Sequence, residues 1–187
     1  GIHIPKLCYL EGIHQYGACR ICVVEQISPP AKNLQASCMV EARNGMVIET
    51  NNAKVQEARK TMYELLLSNH DKKCLTCARN QDCEFQALGR ELGVEESPYE
   101  GERDLRPIDV SESLTRDPNK CILCRRCVAA CGAVQGIGVI GPVYRGFNTA
   151  IESPWNMPLV DMACINCGQC IAACPTGALH EKDSTKE

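Results

Sequence analysis

Fifteen of the 187 residues are cysteines, and their spacing points to bound metal. Cys121, Cys124 and Cys127 are followed by Cys131, and Cys164, Cys167 and Cys170 are followed by Cys174 and Pro175. Both runs read C-x2-C-x2-C-x3-C. Three closely spaced thiolates let a tight loop wrap one face of an iron–sulfur cube. The fourth cysteine lies too far along to close that cube and reaches the other one. The spacing therefore predicts one [4Fe–4S] site at Cys121, Cys124, Cys127 and Cys174, and a second at Cys164, Cys167, Cys170 and Cys131. Two zinc sites are the alternative, but zinc ribbons use paired two-cysteine hooks rather than runs of three.

Two further groups lie upstream. His70, Cys74, Cys77 and Cys83 follow one another as H-x3-C-x2-C-x5-C. A histidine at a helix end often only meets the helix dipole. Here three cysteines follow directly and lack a fourth ligand, so imidazole in place of thiolate is expected. Cys8, Cys19, Cys22 and Cys38 form the remaining group, with a first gap longer than that of plant-type ferredoxins. Spacing alone leaves zinc open there. Gly12 and Gly17 favour a tight loop whose N–H groups point at sulfur. The four groups together use every cysteine once.

The elements that must hold these groups fall into blocks. Residues 1–51 carry the short apolar runs ICVVEQI and GMVIET, broken by SPP and RNG, and read as strands. Residues 52–94 switch to helical spacing at Val55, Ala58, Met62, Leu65 and Leu66, with Asn51 or Asn52 as N-cap. A second helix carries Phe85, Leu88 and Leu92 and ends at Gly93. Residues 95–118 are charged, hold three prolines and read as a linker with nothing to form a core. Residues 119–181 contain the repeated cysteine pattern, which implies a pseudo-symmetric unit. Residues 182–187 are polar and read as the start of a connection to a catalytic domain not included. The fold class expected is α+β.

Aromatic residues make up only 4% of the chain, so metal must supply what a conventional core would. An odd cysteine count and no visible export signal disfavour a disulfide framework. No apolar run approaches a membrane span, and a cytoplasmic protein is expected. The formal charge of −3 disfavours nucleic acid as a partner. Loaded with four clusters, the chain would carry about −10. His3, His14 and His180 read as solvated or locally hydrogen-bonded, Arg125 and Arg126 as a solvated face, and Trp155 as a packing anchor. No catalytic residues stand out.

The run NKCILCRRCVAACGAVQGIGVIGPVYRGF, then CINCGQCIAACPTGALHEKD, resembles the accessory-cluster region of [FeFe]-hydrogenase catalytic subunits. The likeness extends upstream through HDKKCLTCARNQDCEFQ to IHIPKLCYLEGIHQYGACRICVVE, and is greatest to the NAD(P)-linked, electron-bifurcating type of anaerobic bacteria. It implies a [2Fe–2S] cluster at Cys8, Cys19, Cys22 and Cys38 in a partial β-grasp ferredoxin domain, whose first hairpin and helix would precede Gly1. It implies a small helical [4Fe–4S] domain around His70 and a bacterial two-[4Fe–4S] ferredoxin-like domain. The hydrogen-forming H-cluster would lie in a domain beyond residue 187. Implied partners are flavin- and iron–sulfur-containing NAD(P)H dehydrogenase-type subunits and ferredoxin, in a hetero-oligomer. NAD-linked formate dehydrogenases and the large iron–sulfur subunit of NADH dehydrogenase share this front end and stand as the alternative. A zinc-stabilised module without redox chemistry is the other.

Overall fold

The computed structural model describes residues 1–28, 33–102 and 105–182. Its first sheet has β1 (Val23–Gln26) in the centre, antiparallel to β2 (Asn33–Ala36) and β3 (Ile48–Glu49). β1 and β3 fall in the two apolar runs. β2, with sequence NLQA, alternates polar and apolar over only four residues, and pairing with β1 makes it a strand. Pro29 and Pro30 of the SPP turn lie outside the described residues.

Helix α1 (Ala53–Ser68) starts where Asn52 caps it, its Oδ1 accepting from Val55 N at 2.9 Å. Asn52→Ala should cost about 1 kcal/mol in anaerobic denaturant unfolding. The helix buries Val55, Arg59, Tyr63, Glu64 and Leu67, one stripe at four-residue spacing with a neighbour beside it. Met62 and Leu66 pack at its margin, but Leu65 faces solvent. The stripe is thus rotated from the apolar one expected, because Arg59 sits inside it. Its Nη2 donates to Val23 O at 2.9 Å and ties α1 to β1. Helix α2 (Glu84–Leu92) ends at Gly93, whose φ of 65° is left-handed. Tyr63 crosses onto α2, donating to Phe85 O at 3.1 Å, and a Cβ at Gly89 would overlap its hydroxyl.

Residues 109–116 overturn the linker reading. β4 (Asp109–Val110) and β5 (Leu114–Arg116) form a sheet with β8 (Leu179–Glu181), in the order β4-β5-β8. Leu114 is 1% exposed and belongs to the core; such burial contributes about 2 kcal/mol. The charges that made this segment look like surface are paired inside. Arg116 meets Asp109 at 3.3 Å and donates to Ile151 O at 3.1 Å, while Arg106 meets Glu152 at 2.7 Å. The last two contacts join this segment to a small hairpin of β6 (Gly141–Val143) and β7 (Ala150–Glu152).

The repeat is visible in the backbone. Helix α3 (Arg126–Ala129) and helix α4 (Gln169–Ala173) each follow a cysteine loop with two left-handed residues. Leu123 (φ 56°) and Arg125 (φ 63°) match Asn166 (φ 54°) and Gly168 (φ 72°). A non-glycine residue held there costs about 1 kcal/mol or more, and such strain gathers at functional sites. α3 runs on into a π turn, Ala130–Val134, which carries Cys131.

Candidate metal centres

The loop between Cys8 and Cys19 is closed by Leu10 and His14, whose backbones exchange bonds of 3.0 and 2.9 Å. Gly12 and Gly17 both take positive φ, and a Cβ at Gly17 would collide with Met39. Cys8, Cys19, Cys22 and Cys38 are all buried. Cys19 N donates to Cys8 Sγ at 3.5 Å, and the sulfurs of Cys22 and Cys38 lie 3.4 Å apart. The Cys19 thiol hydrogen-bonds to Cys8 and brings the Cys8 pKa down to about 7. That bond, together with burial, pushes Cys19 up. Burial and then Cys22 push Cys38 up to about 11. Cys8 is therefore readier to ionise than Cys19 or Cys38.

His70 follows α1 directly and is buried. Cys74 lies in a 3-10 turn, and Cys83 is the N-cap of α2, its Sγ accepting from Gln86 N at 3.5 Å. His70, Cys74 and Cys83 line one cavity of about 520 Å³, together with Tyr63 and Phe85. Cys77 lies outside that lining but acts on Cys83, and its sulfur packs against Gly177, where a Cβ would overlap it. Gly177→Ala is therefore expected to disturb the His70 group before the others, as one altered cluster signal in low-temperature EPR.

In the repeat, Cys174 acts on the cysteines of the first run and Cys131 on Cys170 of the second. Cys121 is pushed up to about 12 by burial, with Cys174 adding to the effect. Cys127 is also raised, by burial and then by Cys121, Cys124 and Cys174. Cys170 is raised to about 11 by burial and by Cys164, Cys131 and Cys167. Leu123 N donates to Cys121 Sγ at 3.3 Å. Among the described residues no three His, Cys, Asp or Glu side chains converge to hold a single metal ion. A polynuclear core makes another demand, since its ligands are shared out among several irons. The soft donor set, the apolar walls and the N–H groups aimed at sulfur fit such a core. Metal uptake by thiols with raised pKa must release protons. Occupancy after reconstitution of the apo-chain should therefore fall as pH is lowered, by iron analysis.

Three residues read as ordinary surface or packing sit elsewhere. His14 is 2% exposed, not solvated, and its bond is not local: Nε2 donates to Cys124 O at 2.9 Å. Burial, then Arg125 and Arg126, lower its pKa, although the Cys124 carbonyl opposes this. Arg126 is 4% exposed and paired with Glu84 at 2.7 Å, which binds the cysteine loop to α2. Trp155 is no anchor; it is 91% exposed on left-handed backbone (φ 53°). A short polar loop gives no sign of a partner far along the chain, so His14 and Arg126 had no local signal.

Three family models match in order. A 2Fe-2S iron-sulfur cluster binding domain covers residues 1–53, and the NADH-ubiquinone oxidoreductase-G iron-sulfur binding region covers 59–98. A 4Fe-4S dicluster domain covers 120–178. The NADP-reducing hydrogenase subunit HndD of Solidesulfovibrio fructosivorans is 46% identical over 97% of this chain. A chain in the crystal structure of an NAD+-reducing [NiFe]-hydrogenase in the H2-reduced state superposes with a TM-score of 0.88 at 31% identity, covering 97% of this chain and 76% of that one. This chain belongs to the NADH-G/HndD-like family of iron–sulfur subunits. A G-type NADH-quinone oxidoreductase subunit from Rhizobium meliloti is a further relative, 34% identical over 96% of the chain. The NADH-G/HndD-like chain spans 32% of the length of the HndD relative and 21% of the Rhizobium one. Its make-up is that of a small mixed α/β protein with a 2Fe-2S domain followed by 4Fe-4S domains. No helix among the described residues is long and apolar enough to cross a membrane.

Proposed function

We propose that this chain is a cytoplasmic electron relay of four clusters within an NAD(P)H-linked oxidoreductase. Cys8, Cys19, Cys22 and Cys38 hold a [2Fe–2S] cluster in a partial β-grasp domain. His70, Cys74, Cys77 and Cys83 hold one [4Fe–4S] cluster in a small helical domain. Cys121, Cys124, Cys127 and Cys174 hold another, and Cys164, Cys167, Cys170 and Cys131 the last. Bound clusters supply one-electron chemistry; the chain holds their ligands, excludes water and sets the distances between them.

The observation that carries this reading is how the groups share their cores. Cys8, Cys19 and Cys124 lie in one apolar cluster with Leu7, Ile21 and Phe85, and Cys83 packs against it. Cys127 and Cys174 lie in a second cluster, against which Cys131, Cys164 and Cys170 pack. The Cys121 group therefore touches both cores. The first two groups converge on it and the Cys164 group lies beyond, which makes a branched wire. Cys83 Sγ also approaches Pro175 O at 3.5 Å, next to Cys174.

In the finer reading, the wire serves the H-cluster of an electron-bifurcating [FeFe]-hydrogenase, coupling NAD(P)H and ferredoxin oxidation to reversible H2 formation. Flavin- and iron–sulfur-containing dehydrogenase-type subunits and ferredoxin would be its partners in a hetero-oligomer. The 46% identity to a hydrogenase subunit favours a hydrogenase. The similarity to the Rhizobium NADH-quinone oxidoreductase relative supports the second reading, the same relay in an NADH dehydrogenase. Anaerobic reduction with dithionite followed by EPR tests the relay: one [2Fe–2S] and three [4Fe–4S] signals are expected. A spectrum without them contradicts it.

A further inference from the structure

His14 belongs to no ligand group, yet it lies between two of them. It sits in the loop between Cys8 and Cys19, held by the paired Leu10 and His14 backbones. Its Nε2 reaches Cys124, 110 residues away, at 2.9 Å. A carbonyl only accepts, so the ring proton is on Nε2. Nδ1 is then a bare acceptor, buried and without a hydrogen-bond partner among the described residues. Tyr16 packs edge-on against the ring, with centroids 4.5 Å apart.

This arrangement is poor as a device for stability alone. A buried unpaired nitrogen is destabilising, and phenylalanine would fill the same space without that cost. What imidazole adds is one N–H bond from the first cysteine loop to the backbone of a ligand in the next. The core shared by the two groups contains Leu7, Ile21 and Ile122, whose side chains make only van der Waals contact. Electronic coupling between redox centres decays faster across such gaps than along covalent and hydrogen bonds.

We propose that His14 is a positioning residue for electron transfer, its hydrogen bond to the Cys124 carbonyl bridging the Cys8 and Cys121 groups. The inference rests on the relay reading above. One electron leaves the reduced cluster of the first group and reduces the cluster of the second; no bond forms or breaks at His14 and no proton moves.

The test uses the full protein, wild type and two variants. His14→Phe keeps the packing and removes the donor, whereas His14→Gln keeps a donor. Flash photoreduction followed by rapid freeze-quench EPR reads the decay of the [2Fe–2S] signal as its [4Fe–4S] neighbour is reduced. Redox titration gives both midpoint potentials. His14→Phe is expected to hold full iron and unmoved potentials while slowing the transfer several-fold, and His14→Gln to restore most of the rate. A His14→Phe protein as fast as wild type overturns the proposal. So does a His14→Gln protein as slow as His14→Phe, a slowing that tracks a shift in either potential, or iron lost from either group. Missing cluster signals in the wild type would instead strike at the relay reading itself.

Discussion

Replacing His70 with alanine is expected to alter one of four cluster signals and leave three as they were. His70, Cys74 and Cys83 line the same cavity, Cys77 acts on Cys83, and the proposed assignment makes the four one ligand group. The other groups are complete without it. The second variant, His70→Cys, separates ligation from packing. A thiolate in place of neutral imidazole makes the site one charge more negative and its cluster harder to reduce. The potential should fall while the iron count holds, the reverse of the rise seen when histidine replaces cysteine at iron. An unchanged spectrum in His70→Ala would remove His70 from the ligand set.

The second large effect separates position in sequence from position in space. Cys174 lies in the second repeat, four residues after Cys170, but its charge acts on Cys121, Cys124 and Cys127. Cys174→Ala should therefore alter the same EPR signal as Cys121→Ala. Cys131→Ala should share its signal with Cys164→Ala, because Cys131 acts on Cys170. Loss of one thiolate from four removes a metal–ligand bond that nothing else in these cores can replace, so each variant should lose most of one signal. A Cys174→Ala spectrum matching that of Cys164→Ala would mean that each repeat closes its own cluster.

The cysteine spacing is legible in the sequence because each C-x2-C-x2-C-x3-C run is local. The same holds for the Asn52 cap and the Gly93 stop, whose signals lie within one turn of the helix they bound. What could not be read depends on partners far away. β2 is a strand only because β1 lies beside it. Residues 109–116 look like a solvated linker until Asp109 and Arg116 pair inside the fold. Arg59, Arg126 and His14 are buried by contacts 36, 42 and 110 residues distant. A charged residue reads as surface by default, and only the fold reveals the carbonyl or carboxylate that lets it go inside. Trp155 fails in the opposite direction, an aromatic residue left on the surface.

The central claim is that these thiols gather to hold iron, and metal content tests it most directly. Protein purified without oxygen should carry about fourteen irons with matching acid-labile sulfide and be brown, as one two-iron and three four-iron clusters require. A folded, colourless protein with about four zinc ions, or with no metal at all, would contradict it.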